Sequence, residues 1–210
     1  MKNIIPMVIY MCHNSLDKLL KPSKKWQELN PEYEIKLYDN KMCEEFLLTE
    51  YSEEHKNIFN YILDGPIKAD FWRICIINKY GGLYVDSDIM PLKPLKNFIE
   101  NNIDFCTCIS GNNKFNPQFI MSKANDEILI NAINKYINYY RNNKLYSYWG
   151  WSICNIIEIE NFDKEKRSRI IYYEGKKIQL LLEILTNKYT NHYCTYNNIR
   201  IMNNKFINKS

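Results

Sequence analysis

Two aspartates, Asp86 and Asp88, stand two residues apart directly after the short apolar run Leu83-Tyr84-Val85. On an extended segment, residues i and i+2 project to the same side, so the pair can offer oxygen ligands together. Hard cations such as Mg²⁺ or Mn²⁺ take one or two carboxylates and complete their shell with substrate phosphates. The chemistry implied is the handling of a phosphorylated substrate. The pair alone is a weak signal: with nine Asp in 210 residues, chance supplies roughly 0.4 such pairs. Its frame carries more. Asp70 and Arg73 lie three apart, hence on one helix face, within PIKADFWRICIINKY. Ile67, Phe71, Trp72, Ile74, Cys75, Ile76 and Ile77 make that helix apolar almost all round. Such a helix is buried on most sides, and charges on it need partners or a cleft.

The elements that must position these residues follow from pattern and punctuation. Pro66 fits the first position of a helix over 66–80. Gly81-Gly82 stops it and lets the chain turn tightly into a strand over 83–86. Further strands are expected over 4–10, 33–38, 105–109, 118–121 and 169–173. Helices are expected over 41–51, 53–63, 126–140 and 176–187, with a short one after Ser23 stopped by Pro31. Residues 153–159 suit either type. Strands alternating with helices predict an α/β fold, a Rossmann-like and mainly parallel sheet flanked by helices. In such sheets ligands sit at the carboxyl ends of the strands.

Composition narrows the class. Hydrophobic residues make up 46% and charged residues 25%, the balance of a soluble globular domain. The net charge of +4, with Lys spread along the chain, is too weak and diffuse to argue for nucleic acid. Seven cysteines without a CxxC pair read as free thiols in a reducing compartment. No run approaches the ~20 apolar residues of a membrane span. The apolar start is broken by Pro6 and lacks a small-residue cleavage site, so it reads as a strand and not a signal peptide. A cytoplasmic location is the expectation.

At ADFWR and YGGLYVDSDIMPLKPL the chain resembles the DXD-containing glycosyltransferases of family 32. These include yeast outer-chain mannosyltransferases and vertebrate α1,4-sugar transferases, and the large clostridial glucosylating toxins share the core. IPMVIYMCHNS resembles the family's first strand, and WQELNPEYEIKLYD its second strand with the preceding helix. The resemblance covers residues 4–95 and fades beyond. It implies a GT-A fold in a single catalytic domain, with a nucleotide-sugar-binding half over 1–95 and an acceptor-side half over 96–210. It also implies metal-dependent transfer, with retention, of a sugar from a UDP- or GDP-sugar to a hydroxyl of a glycan, lipid or protein.

Carried onto this chain, the resemblance gives Asp70 and Arg73 to the donor's sugar and diphosphate. Asp86 would hold ribose or sugar hydroxyls and help with Mn²⁺ or Mg²⁺. Asp88 would ligate the metal directly, and Tyr84 would line the donor pocket. Tyr10 would stack on the base or serve as a core ring. Two departures stand out. The first strand trails into Tyr10-Met11-Cys12-His13, where family members often have His and Trp. Residues 191–197 match the family's closing segment loosely and lack its Ser-Trp, leaving His192 as either a third metal ligand or a solvated loop residue. No carboxylate stands out as a covalent nucleophile, which favours front-face attack with the departing phosphate as base. Trp149-Gly150-Trp151-Ser152 offers rings for an acceptor sugar or for the core.

Three other readings compete. A phosphatase of the haloacid-dehalogenase type also ends an apolar strand with DxD, but needs a Thr or Val shortly after, where this chain has Met90. A non-catalytic or degenerate sugar-nucleotide-binding module would share the donor-side residues. The chain could also be the enzymatic part of a larger effector, although it shows no delivery domain.

Overall fold

The computed structural model describes residues 4–110, 114–157, 165–186 and 192–204. Three parallel strands form the part of the sheet that matters most. They are β1 (Val8–Cys12), β2 (Glu34–Tyr38) and β3 (Gly82–Val85), with β1 in the middle. Helix α1 (Asp17–Leu29) crosses from β1 to β2. Helices α2 (Asn40–Glu50), α3 (Glu53–Tyr61) and α4 (Gly65–Tyr80) connect β2 to β3. All three strands therefore end on the same edge.

The rest of the sheet is built from β4 (Ile89–Pro91), β5 (Phe105–Ile109), β6 (Phe115–Ser122), β8 (Lys176–Leu185), β9 (His192–Tyr196) and β10 (Ile199–Asn204). The strand order is β2-β1-β3-β6-β5-β8-β9-β10-β4, and β7 (Arg169–Tyr173) pairs with β8. Among the described residues beyond β3, only the β5–β8 pair is parallel. The sheet is thus mixed, with its parallel part concentrated in the N-terminal half. Helix α5 (Glu127–Arg141) and the single turns α6 (Tyr148–Trp151) and α7 (Ile153–Ile156) follow β6.

The main difference from the sequence expectation is β8, which reads as a helix over 176–187. Ile178-Gln179-Leu180-Leu181 is buried between β5 and β7, and a short apolar run fits a central strand as well as a helix. The deciding signal is Glu174-Gly175, both at positive φ (48° and 77°). Two such residues turn a hairpin between β7 and β8, in which Tyr173 pairs with Lys176. Residue 187 lies outside the described residues, as do 158 and 159 of the ambiguous 153–159 stretch, whose described part begins with α7. Helix α1 begins at Asp17, ahead of Ser23, and takes Pro22 into its interior.

One core cluster packs α2–α5 against the sheet and contains Tyr10, Phe71, Trp72 and Tyr84. A second holds Leu19 and Trp26 of α1 with Val85, Ile89, Phe119 and Met202. Helix α4 is enclosed along its length from Phe71 to Asn78, as its all-round apolar pattern requires. The glycine pair after it is set by space as well as by turn geometry. A Cβ on Gly81 (φ 68°) would come within 2.8 Å of the Pro6 ring, and one on Gly82 (φ 112°) within 2.8 Å of the Val8 carbonyl. All seven cysteines are free.

Candidate active site

The carboxyl ends of β1, β2 and β3 open onto a cavity of about 840 Å³. Cys12, His13 and Asn14 line it after β1, and Asn40 and Cys43 line it after β2. Leu63, Gly65, Lys68 and Arg73 contribute from α4 and the turn before it, and Tyr84, Asp86, Ser87 and Asp88 from β3 and the turn after it. The two aspartates sit in a tight turn closed by the Ile89 amide on the Asp86 carbonyl (3.0 Å). The Asp86 amide in turn donates to Gln118 of β6 (3.0 Å). This turn leaves Asp86 and Asp88 half-buried at the cavity wall.

Arg73 organises that wall. It is 2% exposed, yet its guanidinium reaches four oxygens. Nε donates to the Ala69 carbonyl (3.0 Å) and one Nη to the Pro117 carbonyl (2.7 Å). The other Nη lies 3.1 Å from Asp86 Oδ1 and 3.4 Å from Asp70 Oδ1. The guanidinium also lies over the Tyr84 ring at 4.3 Å. Burial opposes its charge, but Asp86, Tyr84 and Asp70 outweigh burial, so its pKa is raised. The Tyr84 hydroxyl, itself held protonated by burial, donates to Asp86 Oδ1 at 2.8 Å. One oxygen of Asp86 is therefore fixed by two donors from different elements.

The sequence-predicted residues fall into two groups. Arg73, Tyr84, Asp86 and Asp88 come together at the cavity. Asp70, Tyr10 and His192 do not line it. Asp70 is 4% exposed and faces the other way along α4. Its Oδ2 accepts the Ile153 amide (3.1 Å) and lies 3.5 Å from the Ser152 hydroxyl, which ties α4 to the start of α7. Burial lifts its pKa to about 6, against the opposing pull of Arg73 and the Ile153 amide. Tyr10 is a core ring in the α2–α5 cluster, paired in register with Tyr84. Its side chain packs against Gly82, where no Cβ intervenes. His192 opens strand β9, and its Nδ1 lies 3.5 Å from Glu183. In the Trp149–Ser152 segment, Trp151 is fully buried and Trp149 exposed.

Sequence reasoning missed the backbone carbonyl of Pro117 and the amide of Ile153 as partners of Arg73 and Asp70. Neither has a side-chain signal. Cys12, which closes the first strand 3.6 Å from the Tyr84 hydroxyl, was foreshadowed only by its position at that strand's end.

The donor set suits a hard divalent ion bound with phosphate. Among the described residues no group of three or more His, Cys, Asp or Glu side chains could enclose a metal. The protein offers the Asp86–Asp88 pair, and Mg²⁺-type ions are commonly held by one or two carboxylates plus substrate phosphates. With Asp86 Oδ1 engaged by Arg73 and Tyr84, a cation would take that residue's other oxygen together with Asp88.

Residues 17–105 match the family described as glycosyltransferase sugar-binding region containing DXD motif. The initiation-specific alpha-1,6-mannosyltransferase of Candida albicans is 30% identical over 87 residues. That match covers 40% of this chain and 23% of the relative's length. Among solved structures, PaToxG glycosyltransferase superposes with a TM-score of 0.47 at 15% identity, over 67% of this chain and 62% of that one.

Proposed function

We propose, from the match of residues 17–105 to the family described as glycosyltransferase sugar-binding region containing DXD motif, that this chain transfers a sugar from a nucleotide-sugar to an acceptor hydroxyl. The observation that carries the reading is the cavity at the ends of β1–β3 with Asp86 and Asp88 on its wall and Arg73 behind them. It is large enough for a small-molecule ligand, which typically occupies ~300–1,000 Å³. The family and the C. albicans relative support a sugar donor. The paired carboxylates support a diphosphate-bound Mn²⁺ or Mg²⁺.

The chain's own residues then divide the work. Asp88, with the second oxygen of Asp86, would hold the ion, which supplies Lewis acidity to the leaving diphosphate when bound. Arg73 is enclosed and engaged by four protein oxygens, so it acts as a positioning residue. It fixes the Asp86 carboxylate and places a permanent positive charge behind the site where the leaving group gathers negative charge. Tyr84 holds the same carboxylate from the strand side. Cys43 and Lys68 line the wall toward α2 and α4, where a nucleotide would lie. Retention of configuration is inferred from the family alone; given retention, the lack of any cavity-lining carboxylate other than the two aspartates among the described residues favours front-face attack, with the departing phosphate taking the acceptor proton.

A thermal-shift screen of UDP- and GDP-sugars with and without Mn²⁺ tests the reading. A ligand at a hundredfold excess over its Kd stabilises the native state by about 2.7 kcal/mol, a rise of roughly 5–10 °C for a chain of this size. A Mn²⁺-dependent rise with a nucleotide-sugar, and chelator-sensitive hydrolysis of that donor, are the expected results. No rise with any donor would sink the donor-site reading. A rise without hydrolysis or transfer would leave a binding module in its place.

A further inference from the structure

The stretch 144–156 is fastened to one wall of the cavity. The Tyr146 hydroxyl donates to the Asp64 carboxylate (2.6 Å), and Asp64 lies between Leu63 and Gly65, both cavity-lining. The Tyr61 hydroxyl donates to the Lys144 carbonyl (3.3 Å), and the Ile153 amide donates to Asp70 (3.1 Å). Within this stretch two tryptophans, two residues apart, have opposite fates. Trp151 is the hub of a ring cluster, with Tyr61, Tyr136, Tyr139 and Tyr146 centred 5.3–6.1 Å away. Its Nε1 donates to the Leu145 carbonyl (3.2 Å). Trp149 is 70% exposed, while the other three tryptophans are fully buried.

An exposed indole is not itself a site, but this one is held. Its backbone carbonyl accepts Asn155 Nδ2 (2.7 Å), and Asn155 Oδ1 accepts Lys114 Nζ (2.9 Å). Tyr148 meets its ring edge-on at 5.1 Å. The support costs the fold nothing visible in burial for Trp149 itself, so the ring serves no core. A large, stiff, pre-positioned aromatic surface loses little conformational freedom when a ligand covers it. A pyranose ring presents an apolar C–H face bordered by hydroxyls, which an indole covers while the hydroxyls keep polar partners. Lys114, tied to the Trp149 backbone through Asn155, carries an exposed ammonium that can supply such a group.

We propose that Trp149, backed by Tyr148, is the platform on which a sugar ring of a carbohydrate acceptor stacks, at the Leu63–Asp64 side of the donor cavity. The proposal rests on the donor-site reading above. An apolar peptide is the competing occupant.

The test uses the full chain labelled with ¹⁵N, whose four tryptophans give four indole N–H signals; loss of one in Trp149→Phe assigns it. Methyl glucoside, mannoside and galactoside are titrated in, and N-acetyl-leucinamide serves as the peptide probe. The expected result is a saturable shift of the Trp149 signal with at least one glycoside, the three buried indoles staying still. In transfer to that glycoside, Trp149→Ala should lower transfer relative to donor hydrolysis by about tenfold, the equivalent of about 1.4 kcal/mol, through acceptor KM, and Trp149→Phe should restore most of it. Silence of the Trp149 signal with every glycoside, a shift with N-acetyl-leucinamide only, or equal loss of hydrolysis and transfer in Trp149→Ala would overturn the proposal. A thermal shift with a nucleotide-sugar alongside a silent Trp149 would overturn this platform alone. Absence of any nucleotide-sugar shift would instead remove the donor reading.

Discussion

Arg73 holds two carboxylates that differ in what lies behind them. Asp86 faces the cavity, takes a second hydrogen bond from Tyr84, and keeps 30% of its side chain exposed. Asp70 faces the protein, binds the Ile153 amide, and keeps 5%. The same guanidinium thus meets the cavity wall on one side and the protein interior on the other. The contrast teaches that a charged pair on a greasy helix need not point both partners at a ligand. One can be the anchor that joins helix α4 behind the cavity to the segment carrying Trp149.

The largest effect should come from removing the shared cation. Arg73→Ala strands two carboxylates, one fully enclosed, and breaking a buried pair this way costs roughly 3–5 kcal/mol. Thermal unfolding should report a drop of roughly 6–20 °C; a drop under two degrees would mean that the pair is not a structural anchor. Asp88→Asn should separate the two sides from the other direction. Turnover of the donor should fall roughly 10²–10³-fold, as for loss of one electrostatic group in an active site, with unfolding temperature nearly unchanged. Full Mn²⁺-dependent turnover in this variant would remove Asp88 from the metal.

Asp70 offers a pH test of the inward side. Its folded pKa of about 6 lies above the ordinary value of 3.8. A group raised in this sense adds stability that is fully present below pH about 4 and is lost as pH rises through about 6. At one pKa unit per 1.36 kcal/mol, the swing is on the order of 3 kcal/mol at most. The unfolding temperature of wild type minus that of Asp70→Asn should therefore fall between pH 4 and 7 and stay level above it. A difference flat across that range would place the Asp70 proton elsewhere. The smallest effect sharpens the tryptophan contrast. Trp149→Ala should change stability by no more than about 0.5 kcal/mol, as an exposed site does, whereas Trp151→Ala should cost roughly 3–5 kcal/mol. Comparable losses from both would undo the distinction between platform and core.

Legibility was uneven along the chain for physical reasons. The stretch from Gly65 to Asp88 could be read because its constraints are local: a proline at a helix start, a glycine pair with no room for Cβ, and a strand too short to hide its carboxylates. Tyr10 gave no such purchase, since a ring on a strand looks the same whether it meets a base or Tyr38. The stretch 176–185 misled because an apolar run has no period of its own, and the Glu174-Gly175 turn that fixes it as a strand is a conformational signal carried by two residues. No helix among the described residues is long and apolar enough to cross a membrane, in line with the absence of any long apolar run.

What the sequence by itself determined is the set of elements around the DxD pair and the class of chemistry such a pair serves, because spacing along one helix and one strand decides which side chains share a face. Only the tertiary structure decided which face each charge meets. Asp70 turned inward because residues more than eighty positions away supply its amide and hydroxyl, and Trp149 and Trp151 parted because Tyr61, Tyr136 and Tyr139 from two other helices close over Trp151 beside Tyr146, whereas the adjacent Tyr148 meets Trp149. Contacts of that separation leave no periodic trace in the chain, so they become readable only when the fold brings their two ends together.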